Sequence, residues 1–220
     1  LTVLFVVLTI NAVNFVDGLD GLAAGIVGIA ATAFFVYAFL LSVEFGFDRA
    51  TLAALICALL AGICVGFLPH NLNPARLFMG DTGSMLIGLL LAASAITLSG
   101  RVDPSAVRGE LLLPAILPLL LPLAVIAVPL LDVAMAVVRR TRRGRSPFAP
   151  DKEHLHHRLI ELGHSQRRAV ALMYAWTALI AFSAVAVALV PWPVALVVFL
   201  AGLAGLAFLV SRPAAALSRR

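Results

Sequence analysis

A chain of 220 residues that is 62% hydrophobic and 12% charged, with a mean hydropathy of +1.07, is too apolar for an ordinary soluble core. Apolar runs of about 17–28 residues recur along it, so the expected fold is all-α, a polytopic membrane protein with about seven transmembrane helices. The net charge of +5 does not imply a nucleic-acid partner, because the basic residues concentrate where membrane topology would put them, and Cys57 and Cys64 share one apolar run as small packing residues rather than as a disulfide framework or zinc site.

In chain order the predicted spans are Leu1–Val16, Leu22–Val43, Ala50–Leu68, Ser84–Leu98, Leu111–Val138, Ala169–Val190 and Val194–Val210. The first begins at a leucine already inside an apolar segment, with no basic flank or small-residue cleavage site, which predicts the C-terminal part of a longer protein. Leu111–Val138 would be ~42 Å long, more than a ~30 Å hydrocarbon core needs. Pro114, Pro118, Pro122 and Pro129 should kink it. Gly21/Gly25 and Gly62/Gly66 form G-x-x-x-G pairs that permit close helix approach. Neither repeats nor a linker divide the chain, so 1–220 reads as one membrane-embedded domain with a basic, histidine-rich loop at 139–168.

The connections alternate between two faces. Asp17–Gly21, Pro69–Gly83, Arg139–Arg168 and the C-terminal tail fall on one. Glu44–Arg49, Gly100–Glu110 and the Pro191-Trp192-Pro193 turn fall on the other. The first face carries thirteen of the sixteen Lys and Arg residues, and by the positive-inside rule it is cytoplasmic.

Three polar motifs lie on that face. In the first, Asn11, Asn14, Asp17 and Asp20 recur at every third position, which on a continuous helix would give one polar stripe. Carboxylates at membrane depth cost ~2.5–3.5 kcal/mol each on insertion scales, so such residues usually line water, a cation or a substrate. A helix end capped by Asn and Asp around Gly turns is the plainer alternative. The second motif, Phe67 to Ser84, ends in Gly80-Asp81-Thr82-Gly83-Ser84 just before an apolar helix. A helix start can hold phosphate, and an Asp there can cap the helix or bind a hard cation. In the third, Pro147 to Leu159, His154, His157 and Arg158 would share a helix face while His156 points elsewhere. A His/Arg cluster suits a diphosphate better than zinc, which would need further ligands. Asp132, ~10 Å deep in its span, could face the same cavity or pair with a neighbouring polar group. No P-loop or dinucleotide-binding glycine motif is present.

In order and approximate spacing, these blocks resemble the signatures of the polyprenyl-phosphate N-acetylhexosamine-1-phosphate transferases, a membrane family that includes the phospho-N-acetylmuramoyl-pentapeptide transferases. The His-Leu-His-His form after Pro-Asp is more similar to the N-acetylglucosamine branch. The resemblance implies transfer of a sugar-1-phosphate from a UDP-N-acetylhexosamine to polyprenyl phosphate. It implies release of UMP at the cytoplasmic face of a bacterial plasma membrane, with Mg²⁺ as cofactor and Mn²⁺ as an alternative. By the same resemblance Asn14 and Asp81 are metal ligands, Asp20 contacts the uracil and Phe78 stacks on it. Asp17 shares that pocket, Asn71 belongs to the substrate site, and His154, His156, His157 and Arg158 hold the diphosphate and sugar. A homodimer is left open. One departure stands out: the family's paired-aspartate motif has no counterpart, since no Asp-Asp pair occurs in the 220 residues. The rival from another class is a transporter with polar broken-helix sites, but such sites usually lie near the bilayer midplane, whereas the acids here cluster at one face.

Overall fold

The computed structural model describes residues 2–44, 50–99, 138, 140–144, 146 and 163–211. Six helices are named within them: α1 Thr2–Val16, α2 Leu22–Glu44, α3 Ala50–Asn71, α4 Gly80–Ser99, α5 Gln166–Leu189 and α6 Trp192–Ser211. No strand occurs among the described residues. The helices α2 to α6 are each long and apolar enough to cross a membrane, while α1 is a shorter apolar helix of 15 residues. The chain is a polytopic, all-α membrane protein. The expected span Leu111–Val138 and its proline kinks lie outside the described residues, apart from Val138.

The helix α2 is the hub. Its alanines Ala23, Ala24, Ala31, Ala33 and Ala38 are almost fully buried, as are Phe34 and Tyr37. Lipid tails give little hydrophobic drive for helix association, so close packing of small residues must hold such helices together. Around α2 pack α3 and α5, with α4 and α1 on a further side and α6 against α5. Gly28 on α2 sits where an added Cβ would lie 3.1 Å from the Cβ of Cys64 on α3, and both cysteines are free and buried. Outward-facing residues of α6 such as Val197, Val198 and Phe208 are exposed, as suits a lipid-facing helix. Hydroxyls within the helices bond their own backbone. Thr9, Thr32, Thr97 and Thr177 each donate to the carbonyl four residues back, at 2.7–2.9 Å.

Two boundaries differ from the sequence expectation in ways that matter for the site. The helix α3 runs through Pro69 to Asn71 instead of stopping at Leu68. Pro69 removes one N–H donor, yet the helical bonding continues past it, with Leu72 N–H donating to Leu68 O at 2.8 Å. The helix α4 begins four residues earlier than expected, at Gly80, whose φ of +66° turns the loop into the helix. Asp81 therefore lies in its first turn.

Candidate active site

The helix α1 ends at Val16, so the three-residue polar pattern does not lie on one continuous helix. Only Asn11 and Asn14 are helical, while Asp17 and Asp20 sit in the five-residue turn that leads into α2. Asp17 N–H donates to Asn14 O at 3.1 Å, a tightened last turn, and Gly21, with φ +79°, redirects the chain. Asn11 is exposed and its side-chain amide donates to Val7 O at 2.7 Å.

The partner of this turn is the start of α4. Where α1 and α4 cross, an added Cβ on Gly88 would lie 3.0 Å from the Ile10 Cα, so the backbones nearly touch. About two helical turns forward from Ile10 along α1, and two turns back from Gly88 along α4, stand Asp17 and Asp81. The two carboxylates are close enough to interact. The Asp17 carboxyl is pushed up from its usual 3.8 to about 6, chiefly by burial and further by the Asp81 charge. Asp81 itself is exposed and Asn14 half-buried.

Asp20 is held from the other side. Its Oδ2 accepts from Asn73 Nδ2 at 3.0 Å and from the Ala75 backbone N–H at 3.2 Å, both in the loop between α3 and α4. Asn71, buried at the end of α3, accepts from Gly21 N–H through Oδ1 at 3.0 Å and donates through Nδ2 to Leu77 O at 2.9 Å. It is a strut that locks the Asp17–Gly21 turn to the α3–α4 loop. That loop folds back on α3, with the His70 carbonyl accepting from both Arg76 and Leu77 N–H. Phe78, two residues before α4, is 74% exposed, so its ring is available as a stacking surface.

The start of α5 closes the arrangement. Arg167 Nε donates to Asn73 O at 3.0 Å, and Tyr174 Oη donates to Gly21 O. Sequence reading had no role for Asn73, Arg167 or Tyr174. Arg167 counts there as one topology-determining charge among many. Tyr174 is one of only two tyrosines in the chain, and a phenol inside an apolar span needs a partner, a signal the pattern of apolar runs does not expose. The structure thus joins Asn14, Asp17, Asp20, Asn71, Phe78 and Asp81 in one region at one end of the helices. His154, His156, His157, Arg158 and Asp132 lie outside the described residues.

The donor set can be weighed for a cation. Among the described residues no group of three or more His, Cys, Asp or Glu side chains forms a ready-made metal site. Two carboxylates and an amide do match Mg²⁺, which usually takes one or two carboxylates and completes its shell with water and substrate phosphates. A pair of neighbouring acids, one half-buried and with no cation beside it among the described residues, is also the kind of charge a divalent cation relieves.

Residues 1–99, which include α1 to α4 and both loops, match the family described as glycosyl transferase family 4. Among similar proteins is the decaprenyl-phosphate N-acetylglucosaminephosphotransferase of Mycolicibacterium smegmatis, 49% identical over 84% of this chain and 46% of its own length. The enzyme of the same name from Mycobacterium tuberculosis is 53% identical over 60% of this chain and 32% of its own length. The undecaprenyl-phosphate alpha-N-acetylglucosaminyl 1-phosphate transferase of Escherichia coli is 33% identical over 61% and 35%. The chain spans less than half the length of each of these relatives.

Proposed function

We propose that this chain, whose residues 1–99 match glycosyl transferase family 4, moves N-acetylglucosamine-1-phosphate, or a related N-acetylhexosamine-1-phosphate, from a UDP-sugar to polyprenyl phosphate. UMP is released, and the product is the first lipid-linked intermediate of a cell-envelope glycan. The observation that carries this reading is the meeting of Asp17, just past the end of α1, with Asp81, in the first turn of α4, beside the fixed Asp20 and the exposed Phe78. The relatives' names supply the substrate class. The excess of Lys and Arg on the same side supports a cytoplasmic site in a bacterial plasma membrane.

The chemistry asked of the residues follows from their placement. An oxygen of the lipid phosphate attacks the sugar-bearing phosphorus in line. The bond from that phosphorus to the bridging oxygen breaks, and the electron pair leaves with UMP. The lipid phosphate is already largely ionised at neutral pH, so positioning and charge neutralisation matter more than a strong base. Asn14 and Asp81, with Asp17 alongside, would hold Mg²⁺, which when bound supplies charge neutralisation at the diphosphate. Asp20 would accept from the uracil while Phe78 stacks on it. His154, His156, His157 and Arg158 would pair with phosphate oxygens and the sugar. The acids stand at helix ends rather than in mid-span, which favours an enzyme at the interface over a transporter site.

Asp81→Asn tests the reading. In the full-length protein we expect it to abolish UMP release from UDP-N-acetylglucosamine and polyprenyl phosphate, with membrane insertion intact. Near-normal turnover would sink the assignment.

A further inference from the structure

We propose that Arg167 and Tyr174 are positioning residues that set the Asp20 carboxylate for the nucleotide, with α5 acting as a brace across the two loops of the site. The inference rests on the transferase reading and adds residues that the motifs do not single out. Arg167 and Tyr174 are seven residues apart on α5, about two turns, and so lie near one face of it. From that face they reach different loops. Arg167 Nε donates to Asn73 O at 3.0 Å, and the side chain of the same Asn73 donates to Asp20 Oδ2 at 3.0 Å. A guanidinium thus acts on a carboxylate through a single intervening residue. Tyr174 Oη donates to the carbonyl of Gly21, the residue that follows Asp20.

The second contact has a steric counterpart. A Cβ on Gly25 would fall 2.0–2.1 Å from the Tyr174 ring, so the first turn of α2 packs directly on that ring. The brace also has a fixed base. Ser165 caps α5 by accepting from Arg168 N–H at 3.4 Å, Arg168 Nη2 donates to Leu209 O at 3.2 Å, and the buried His164 pairs through Nε2 with Val210 O at 3.1 Å. The start of α5 is thereby tied to the end of α6 before it meets the loops.

Without Arg167, the Asn73 peptide loses its external partner and the Asn73 side chain loses its fixed aim at Asp20. Asp17 shares the turn with Asp20, but the bonds from Arg167 run only to Asn73 and through it to Asp20. The effect should fall on recognition of the UDP-sugar and spare both the lipid substrate and the chemical step. One net hydrogen bond corresponds to roughly a 3- to 10-fold change.

The test measures UMP release by the full-length protein while UDP-N-acetylglucosamine and polyprenyl phosphate are varied separately, with Tm recorded for each variant. Arg167→Ala is expected to raise the KM for the UDP-sugar roughly 3- to 10-fold, with kcat and the KM for the lipid within about twofold. Arg167→Lys, which keeps a donor able to reach the Asn73 carbonyl, should recover much of that loss. Tyr174→Phe should shift the same KM in the same direction. Wild-type turnover with an unchanged KM for the UDP-sugar in Arg167→Ala overturns the positioning role and leaves the transferase reading standing. So does a uniform loss in kcat and both KM values that tracks a fall in Tm, since that marks a merely structural contact. Wild-type protein that releases no UMP overturns the transferase reading, and this proposal with it.

Discussion

Asp17 is held at a cost that its surroundings among the described residues do not offset. Its carboxyl is raised to about 6 by burial and by Asp81, so the folded state binds a proton more tightly than the unfolded chain between about pH 4 and 6. Its contribution to stability is therefore most favourable below about pH 4 and is lost as pH rises through 6. With metal chelated, Asp17→Asn should unfold at a higher temperature than wild type at pH 7.5, and the advantage should vanish near pH 4. The side chain is about half exposed, so after solvent screening the gain is about 1 kcal/mol. Thermal melts at the two pH values read this directly, and equal melting temperatures at pH 7.5 would count against a strained carboxylate. The variant should at the same time lose UMP release, because the strain belongs to the site. Asp20 shows the opposite arrangement, with one oxygen satisfied by two donors from a loop more than fifty residues away.

Among the elements, the glycines decide how closely helices approach. The two G-x-x-x-G pairs look alike in sequence and differ in the fold. Gly21 and Gly25 both meet Tyr174 of α5, whereas Gly62 and Gly66 on α3 are exposed and have no neighbouring atom among the described residues. Gly25→Ala should therefore force the Tyr174 ring aside, at about 1–3 kcal/mol of destabilisation. Gly62→Ala, facing open space, should leave stability unchanged or slightly raised by its better helix propensity. Comparing thermal melts of the two variants in detergent tests the difference, and equal losses would contradict the packing described. Pro69 makes a related point. An interior proline in an apolar run reads as a stop, yet α3 passes it because only one bond is lost, and the extra turn delivers Asn71 to Gly21.

At the scale of the molecule, four segments predicted for one face are joined by bonds. The Asp17–Gly21 turn, the α3–α4 loop, the start of α5 and the end of α6 are linked through Asp20–Asn73, Arg167–Asn73, Tyr174–Gly21 and Arg168–Leu209. The Trp192 turn, at the far end of α5, should lie on the other side. Phe78 and Trp192 are both well exposed, and the native Cys57 and Cys64 are buried and give little background. Phe78→Cys should react with a membrane-impermeant maleimide only from the cytoplasmic side, and Trp192→Cys only from the opposite side. Labelling of both from one side would break the topology.

Long apolar runs were enough to determine the helical class, and with the bias of basic residues they put the Asp17–Gly21 turn and the α3–α4 loop on one face, because bilayer thickness and membrane charge act on segments one at a time. The turn at Gly21 was legible as a glycine, though the regular spacing of Asn and Asp suggested a longer helix than α1 proves to be. What only the tertiary structure decided is which groups meet: Asp17 with Asp81 two turns beyond a glycine crossing, Asp20 with Asn73, and α5 with both loops. Those pairings join residues up to 153 positions apart, as Tyr174 and Gly21 are. They depend on how small residues let α1, α2, α4 and α5 approach, and that is a property of facing surfaces rather than of any one stretch of sequence.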